Sequence, residues 1–297
     1  MSAHRSGFVA LLGVANAGKS TLLNQYVGAK AAIVTPKPQT TRHRILGIRT
    51  EPGRQFVFVD TPGIHAPRTK MGEHMVQKAW SAAKDADVVV ILQDVLRPLA
   101  GAQEALLKQA RETLRALPRI HALNKIDAIR KHELLPRLDE TQRLDPEAKA
   151  FVPISALKGE NLDRLLDAIA EHLPEQPALY PEDWWTDQSQ EQLAAEYVRE
   201  KVFMQLREEV PFQTAVVVER FEPVEDGSIE IDATILVAKR SHKPIVLGKA
   251  GARIKAIGIA ARRELEALFG RHVRLNLWVK VSPKWFEREG VLRELGI

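Results

Sequence analysis

The sequence of 297 residues contains no cysteine. This absence excludes disulfide frameworks, zinc sites built from thiolates and cysteine nucleophiles, and it fits a reducing compartment such as the cytosol. Apolar runs of about eighteen residues, the length needed to cross a membrane, are also absent, and Met1–Gly7 is polar. We therefore expect neither a membrane-spanning helix nor a signal peptide.

What is present is the composition of a folded protein. Hydrophobic residues make up 45% and charged residues 27%, which excludes general disorder, and the length suggests two domains. The charge is unevenly distributed: residues 239–297 hold 14 Lys and Arg against 5 Glu, whereas the first 238 residues hold 29 basic against 33 acidic side chains. A basic C-terminal part indicates a polyanionic partner.

Short apolar runs alternate with helical stretches in residues 1–173. The predicted strands are Phe8–Leu12, Ile45–Arg49, Phe56–Val59, Val88–Leu92, Ile120–Leu123 and Ala150–Ile154. The predicted helices include Lys19–Tyr26, Gly72–Lys84, Ala102–Ala116 and Leu162–Leu173. This alternation predicts an α/β domain with a doubly wound, mostly parallel sheet.

Prolines and a Trp-Trp pair interrupt the alternation in residues 174–187. We interpret this segment as an interdomain linker, with a long loop inside one domain as the alternative. Residues 188–297 then read as a helix, two strands joined at Asp226-Gly227, a short run ending at Gly248, a second helix and a last strand in Val273–Val281. This order predicts a smaller α+β domain, followed by a C-terminal helix.

A phosphate-loop pattern, GxxxxGK[ST], directly follows the first predicted strand and opens the first predicted helix. It comprises Gly13, Val14, Ala15, Asn16, Ala17, Gly18, Lys19 and Ser20, and Thr21 follows it. Glycines let backbone N–H groups converge on phosphate oxygens, and the helix N-terminus adds a favourable dipole. Lys19 should reach the β- and γ-phosphates, and the hydroxyl of Ser20 should bind Mg²⁺.

A second motif follows the strand Phe56–Val59 and consists of Asp60, Thr61, Pro62 and Gly63, with Ile64 next. An aspartate at this position is suited to holding Mg²⁺ directly or through water. Gly63 lets the backbone approach the γ-phosphate.

Two further motifs end the next predicted strands and indicate a guanine base. They are Asn124-Lys125-Ile126-Asp127 and Ser155-Ala156-Leu157-Lys158. The carboxylate of Asp127 can accept hydrogen bonds from N1–H and the 2-amino group of guanine, a donor pair that adenine lacks. Lys125 should lay its stem along the base, Asn124 should tie this loop to the phosphate loop, and backbone N–H groups of the fourth motif should reach guanine O6. Together the four motifs predict a magnesium-dependent GTPase.

A GxxG sequence lies between the two predicted helices of the basic C-terminal part. It consists of Gly248, Lys249, Ala250 and Gly251, and Lys249, Arg253 and Lys255 supply positive charge around it. Its glycines and N–H groups favour a closely approaching phosphate backbone, so we expect RNA binding, with DNA as the alternative. The apolar stripe of the following helix should form core: Ile254, Ile257, Ala261, Leu265 and Leu268.

The motifs in this order resemble the Era family, an N-terminal GTPase domain joined to a C-terminal type II KH domain. The segment Pro38-Gln39-Thr40-Thr41-Arg42-His43-Arg44 resembles the first switch of that family, whose threonine binds Mg²⁺. Alignment favours Thr41 for this role, with Thr40 as the alternative. The resemblance covers Gly7 to about residue 293; Val14-Ala15 stands where many members have Arg-Pro, which leaves the motif intact.

The resemblance also implies partners, location and mechanism. It implies binding of GTP, GDP and the 3′ end of small-subunit ribosomal RNA, a role in maturing that subunit and a bacterial cytoplasmic location. We also expect a monomer. Ile64 stands where small signalling GTPases place a water-orienting glutamine, so slow intrinsic hydrolysis is expected. Asn16 matches an asparagine that helps bind potassium in related GTPases; simple loop hydrogen bonding is the equal alternative. The residues expected to serve catalysis are therefore Asn16, Lys19 and Thr41.

Three alternatives stay open at this point. A non-catalytic, GTP-gated RNA-binding scaffold fits the lack of a visible general base, and a metabolic phosphotransferase could also use a phosphate loop. The amphipathic segment Pro283–Leu295 should pack on its own domain or on RNA. A weak peripheral association with the cytoplasmic face of the inner membrane is the other interpretation of that segment.

Overall fold

Six strands form the sheet of the first unit in the computed structural model, which describes residues 4–67 and 69–295. They are β1 (Arg5–Gly13), β2 (Ile45–Glu51), β3 (Arg54–Asp60), β4 (Val88–Asp94), β5 (Arg119–Asn124) and β6 (Ala150–Ile154). Their order in the sheet is β2-β3-β1-β4-β5-β6. Only the edge pair β2 and β3 is antiparallel among these pairs, so the predicted doubly wound α/β domain is confirmed.

The helices of this unit cover a sheet whose central strands are largely apolar and buried. They are α1 (Lys19–Val27), α2 (Lys70–Lys84), α3 (Ala102–Thr113), α4 (Lys131–Leu144) and α5 (Leu162–Ala170). The strand β4 begins Val-Val-Val-Ile-Leu and is buried along its whole length, as expected for a parallel strand covered on both faces. Leucines of α1, α3 and α5 pack into the same core.

Helix α4 was not among the predicted helices. It contains Pro136 in its interior, and Thr141 is its only buried residue. Proline removes a backbone donor and disfavours a helix interior, and a helix that is exposed nearly all round shows little apolar periodicity. The sequence pattern therefore carries almost no sign of this element.

The sheet order places β1 between β3 and β4, so the chain leaves β1 where the strand order reverses. In open α/β sheets, ligands bind in the crevice at the carboxyl ends of the strands beside this reversal. The loop after β1 and the ends of β3, β5 and β6 meet at that edge, and these are the places where the four motifs occur.

Residues 174–187, predicted to be a linker, are folded onto the first unit, which extends to Asp187. The N–H of Ser6 donates to the carbonyl of Pro174 (3.2 Å), and the N–H of Ile48 donates to the carbonyl of Trp185 (3.0 Å). The segment thereby bonds to the start of β1 and covers part of the open edge of β2, a common way of protecting an edge strand.

The second unit contains α6 (Gln190–Gln205), β7 (Thr214–Pro223), β8 (Ile229–Val237), α7 (His242–Leu247), α8 (Ala252–Phe269), β9 (Val273–Val281) and α9 (Glu289–Glu294). Strand β8 is antiparallel to β7 and parallel to β9. This order of helices and strands is the predicted type II KH order.

Helix α8 buries the predicted apolar stripe against the second sheet. Ile257, Ala261 and Leu265 are fully buried, whereas Ile254 and Leu268 are half-buried. In the C-terminal segment, Trp285 is buried and its Nε1–H donates to the carbonyl of Gln213 (3.0 Å). Of the two partners predicted for this segment, its own domain and RNA, the structure shows contact with its own domain. Among the described residues, no helix is both long and apolar enough to cross a membrane.

Candidate functional sites

The phosphate loop connects β1 to α1 and has a conformation that requires glycine. Gly18 has φ of 102°, and a Cβ atom at this position would lie 2.2 Å from Nδ2 of Asn124. That amide group instead donates to the carbonyl of Ala17 at 2.8 Å. The predicted tie between Asn124 and the phosphate loop is therefore present.

Lys19 is buried at the base of this loop. Its Nζ donates to the carbonyls of Gly13 (3.0 Å) and Val14 (3.2 Å). Burial lowers the pKa of Lys19 to about 8, although the carboxylate of Asp60 acts in the opposite direction. A buried ammonium held only by carbonyls and one nearby carboxylate is suited to receive an anionic group such as a phosphate.

Three side-chain oxygens converge beside the loop. Oγ of Ser20 lies 2.6 Å from Oδ2 of Asp60 and 3.0 Å from Oγ1 of Thr41, and Thr41 also reaches Asp60 at 3.3 Å. Thr40 instead contacts Thr35 and the carbonyl of Lys37. Of the two threonines left open by the sequence, the structure thus places Thr41 beside Ser20 and Asp60.

These oxygens fit a magnesium ion. Oδ1 of Asp60 is buried and has no hydrogen-bond partner among the described residues, and burial raises the pKa of Asp60 despite the nearby ammonium of Lys19. Hydroxyl and carboxylate oxygens are the ligands Mg²⁺ prefers, usually together with substrate phosphates. Within the part of the chain that the structure describes, no group of three His, Cys, Asp or Glu side chains could hold a metal without such help.

The motif after β3 is joined to the phosphate loop through its backbone. The N–H of Ile64 donates to the carbonyl of Gly13 at 3.0 Å, and the hydroxyl of Thr61 donates to the carbonyl of Leu11 at 2.7 Å. These bonds hold Gly63 against the loop. The half-buried side chain of Ile64 offers no group that could orient water.

The side chain of Asn124 connects the loops at the end of the site that should receive the base. Its Oδ1 accepts hydrogen bonds from the N–H groups of Lys125 (2.8 Å) and Ala156 (2.9 Å). Oγ of Ser155 donates to Oδ1 of Asp127 at 2.6 Å. Asp127 is thereby fixed by one carboxylate oxygen, and its second oxygen has capacity for the donors of a guanine base.

The fourth motif offers fewer backbone donors than its sequence suggests. The N–H groups of Ser155, Ala156 and Lys158 donate to Glu160, Asn124 and the hydroxyl of Ser155, respectively. The N–H of Leu157 has no acceptor among the described residues. Leu157 is therefore the donor of this loop that remains available for guanine O6.

A cavity of about 510 Å³ brings most of the predicted residues together. Those that line it are Ala15, Asn16, Gly18, Lys19, Ser20, Thr21, Thr41, Gly63, Asn124, Lys125, Asp127, Ala156 and Leu157. Other predicted residues stand behind the lining: Gly13, Val14, Ala17, Asp60, Thr61, Pro62, Ile64 and Ser155. Among them, Asp60 contacts the lining residues Ser20 and Thr41, and Ser155 contacts Asp127.

Part of the cavity wall was not predicted. It comes from the segment before the first switch, from the loop after β4 and from the residue that follows Asp127, and comprises Ile33, Val34, Thr35, Pro36, Leu96, Arg97 and Ala128. None of these residues belongs to a short motif. For Leu96 and Arg97 a signal did exist, because they follow a strand that ends at the same edge of the sheet.

The GxxG loop of the second unit also depends on a conformation that requires glycine. Gly248 has φ of 73° and ψ of 177°, and a Cβ atom there would lie 2.7 Å from Cβ of Arg253. Lys249 and Ala250 are exposed at the tip of the loop, and Lys255 is exposed on α8. The guanidinium of Arg253 donates one hydrogen bond to the carbonyl of Ile245 on α7, and its predicted role in binding RNA stays a prediction.

An apolar groove of about 350 Å³ adjoins this loop between α8 and β9. It is lined by Ile254, Lys255, Gly258, Ile259, Arg262, Leu275 and Leu277. Apolar side chains form its floor and two cations lie at its sides, an arrangement suited to nucleic-acid bases and their phosphates. Gly258, Ile259 and Arg262 were not predicted, because a glycine inside a helix carries no motif of its own.

The fold and the two sites define a P-loop GTPase joined to a KH-type nucleic-acid-binding domain. Residues 8–125 match the family described as "50S ribosome-binding GTPase", and residues 209–286 match the family described as "KH domain".

Full-length relatives identify the family within this class. The chain is 45% identical to GTPase Era of Nitratidesulfovibrio vulgaris (strain DSM 19637 / Miyazaki F), with 99% of this chain and 97% of the relative covered. A crystal structure of an Aquifex aeolicus Era variant bound to GDP.AlF4⁻ matches with a TM-score of 0.95 and 42% identity, over 98% of this chain and 99% of that one.

A crystal structure of Era with MgGDPNP and nucleotides 1506–1542 of 16S ribosomal RNA matches with a TM-score of 0.94 and 42% identity, over 99% of both chains. The chain belongs to the Era family of GTPases.

Proposed function

We propose that this chain hydrolyses GTP with Mg²⁺ in its first unit, binds the 3′ end of small-subunit ribosomal RNA through its second unit, and acts in assembly of that subunit. The observation that carries the proposal is the presence of both built sites in a chain that matches, over 99% of its length, a relative holding MgGDPNP and 16S RNA. One family description mentions the large subunit, but it covers the GTPase domain alone. The relative with RNA covers both domains and is the more specific guide.

In the nucleotide site, binding energy comes from groups that are already oriented. The ammonium of Lys19 and the N–H groups at the start of α1 favour the phosphates, and Ser20, Thr41 and Asp60 would hold Mg²⁺. A magnesium ion held there would supply positive charge to the phosphates of the nucleotide. Asp127 accepts from the guanine edge, and Ser155 keeps that carboxylate in place.

In the RNA site, the exposed loop tip neutralises phosphate and the groove receives bases. Lys249 supplies a cation beside backbone that can approach closely. Gly258 carries no side chain into the groove lined by Leu277, so the flat face of a base can lie against the apolar floor. The affinity for RNA should therefore have two contributions: a salt-dependent one from the phosphates and one from the bases that depends on stacking.

Potassium is proposed as an activator of hydrolysis. Asn16 lines the cavity with φ of 65°, and its Nδ2 donates to the carbonyl of Pro36 at 3.0 Å, which leaves its amide oxygen for a cation. A cation there would supply charge near the phosphates that other GTPases obtain from an arginine. With Ile64 in place of a glutamine, slow intrinsic turnover is expected.

Single-turnover hydrolysis with and without the RNA 3′ fragment tests the enzymatic part of the proposal. Release of phosphate that depends on Mg²⁺ supports a GTPase, whereas bound GTP that stays intact under both conditions would favour the non-catalytic scaffold. Addition of small hydroxyl acceptors covers the phosphotransferase alternative, because transfer to an acceptor would leave less free phosphate.

We also propose a cytoplasmic monomer. Burial of Trp285 and Leu292 favours packing of the C-terminal segment on its own unit over membrane contact. Sedimentation velocity measures the oligomeric state, and co-flotation with anionic vesicles measures the alternative, a weak association with the inner membrane.

A further inference from the structure

Asp94 is a buried acid at the nucleotide site that belongs to none of the four motifs. It ends β4 and pairs in the parallel register with Asn124, the first residue of the base-recognition motif. Only 3% of its surface is exposed. A buried carboxylate needs compensation by charge or hydrogen bonds, so its partners indicate its role.

Hydrogen bonds and ion pairs hold both the backbone N–H and the two carboxylate oxygens of Asp94. Its N–H donates to Oε1 of Gln103 at 2.8 Å, and its Oδ1 accepts from the N–H of Leu96 at 3.1 Å. Oδ2 then faces Nζ of Lys125 at 2.7 Å, and the more exposed Arg97 approaches the same oxygen at 3.5 Å. These bonds fix the orientation of the carboxylate. Of the two cations near its Oδ2, Lys125 is closer than Arg97.

This contact determines where the stem of Lys125 lies. The backbone of Lys125 is held at φ of 75° and its N–H is bonded to Asn124, so the stem runs from a fixed backbone to a fixed carboxylate. Lys125 also lines the nucleotide cavity. A free lysine would lose considerable rotamer entropy on packing against a ligand, and a tethered one has already lost it.

We propose that Asp94 is a positioning residue for guanine nucleotides, which holds the ammonium of Lys125 so that the apolar stem is ready to pack on the base. The inference rests on the proposed nucleotide function and deepens it. It predicts that Asp94 acts only through Lys125, and that GTP and GDP are affected equally because they share the base.

A double-mutant cycle tests this inference on the full chain with Asp94→Asn, Lys125→Met and the two combined. Lys125→Met keeps an apolar stem but cannot reach Asp94. Each single change should raise the Kd of GTP and of GDP about tenfold, and the combination should also raise it about tenfold, because both changes remove the same contact. A hundredfold rise in the double variant, or no rise with Asp94→Asn alone, would overturn the proposal.

Asp145→Asn is the matched control. Asp145 is another fully buried carboxylate of the first unit, paired with Arg119 and His121, and neither partner lines the cavity. Its replacement should lower the melting temperature but change the Kd of GTP less than twofold. A tenfold effect in this control would assign the Asp94 result to general destabilisation. Failure of the unmodified protein to bind GTP would instead contradict the proposed function itself.

Discussion

The two candidate sites are built in different ways. The nucleotide site is held by side chains that bond to other loops; Asn124 alone joins the phosphate loop, its own loop and the loop after β6. The RNA site has no comparable set of side-chain bonds among its described residues. Its loop depends on the backbone conformation of Gly248 and Gly251, and its charge comes from exposed cations.

This difference shows how each site obtains its selectivity. A small ligand with a defined edge is recognised by preoriented groups, and one misplaced atom leaves a buried partner unpaired. A flexible polymer is recognised by charge, close backbone approach and an apolar groove, which tolerate local change. Single-atom replacements should therefore act strongly in the first unit, and changes of charge should act strongly in the second.

The largest effect is expected at Asp127. Asp127→Asn should weaken GTP binding by roughly 2–5 kcal/mol, because a charge-assisted pair is lost and a guanine donor is left unpaired. Binding of xanthosine triphosphate should improve, since xanthine has a carbonyl where guanine has its 2-amino group. Nucleotide titrations of both proteins measure the change, and unchanged GTP affinity would contradict the assignment of Asp127.

The next effect is expected at the loop tip of the second unit. Lys249→Asp combined with Ala250→Asp keeps both glycines, and aspartate tolerates the positive φ of 49° found at Ala250. RNA binding should weaken at least tenfold, with the slope of its salt dependence reduced by about one. GTP affinity should stay within about twofold, since sites that share no residue or partner behave additively. Filter binding at several salt concentrations checks the first result and a nucleotide titration checks the second.

A smaller effect is expected from the titration of Lys19. Below pH 8 its ammonium is charged with or without nucleotide, because the pKa of Lys19 in the free protein is about 8. Above that pH the free protein loses this proton and must regain it to bind phosphates, which raise the pKa again. GTP affinity should therefore fall roughly fivefold between pH 8 and pH 9.

Calorimetric titrations across this range measure the pH dependence of GTP affinity. Lys19→Arg is the control, because a guanidinium stays charged and the remaining slope then belongs to the N1 proton of guanine. An identical slope in both proteins would contradict the role assigned to Lys19.

The smallest effect concerns the monovalent cation. Hydrolysis should run faster in potassium than in sodium at equal ionic strength, and Asn16→Ala should remove that difference while Mg²⁺ dependence remains. Phosphate release under multiple-turnover conditions provides the measurement. Equal rates in the two salts for the unmodified protein would count against a cation at Asn16.

Local sequence predicted much of this molecule because its signals are local. The phosphate loop needs glycine at Gly18 and lysine next to it, and both requirements are visible in eight consecutive residues. Central strands such as β4 can be predicted because they contain continuous apolar runs. The GxxG loop was predictable for the same reason.

Features that depend on distant contacts could not be predicted in this way. The carboxylate of Asp94 meets Lys125 only because β4 and β5 are neighbours, and Trp185 meets Ile48 only because the supposed linker folds along β2. The choice between Thr40 and Thr41 likewise needed the positions of Ser20 and Asp60. Sequence spacing contains none of these distances.

Crosslinking in living cells, followed by sequencing of the RNA joined to this chain, tests the central claim most directly. The account predicts that the 3′ end of small-subunit ribosomal RNA dominates the crosslinked RNA, and that the aspartate pair at Lys249 and Ala250 removes it while GTP binding persists. Dominance of another RNA class, or crosslinks that survive those substitutions, would contradict the account.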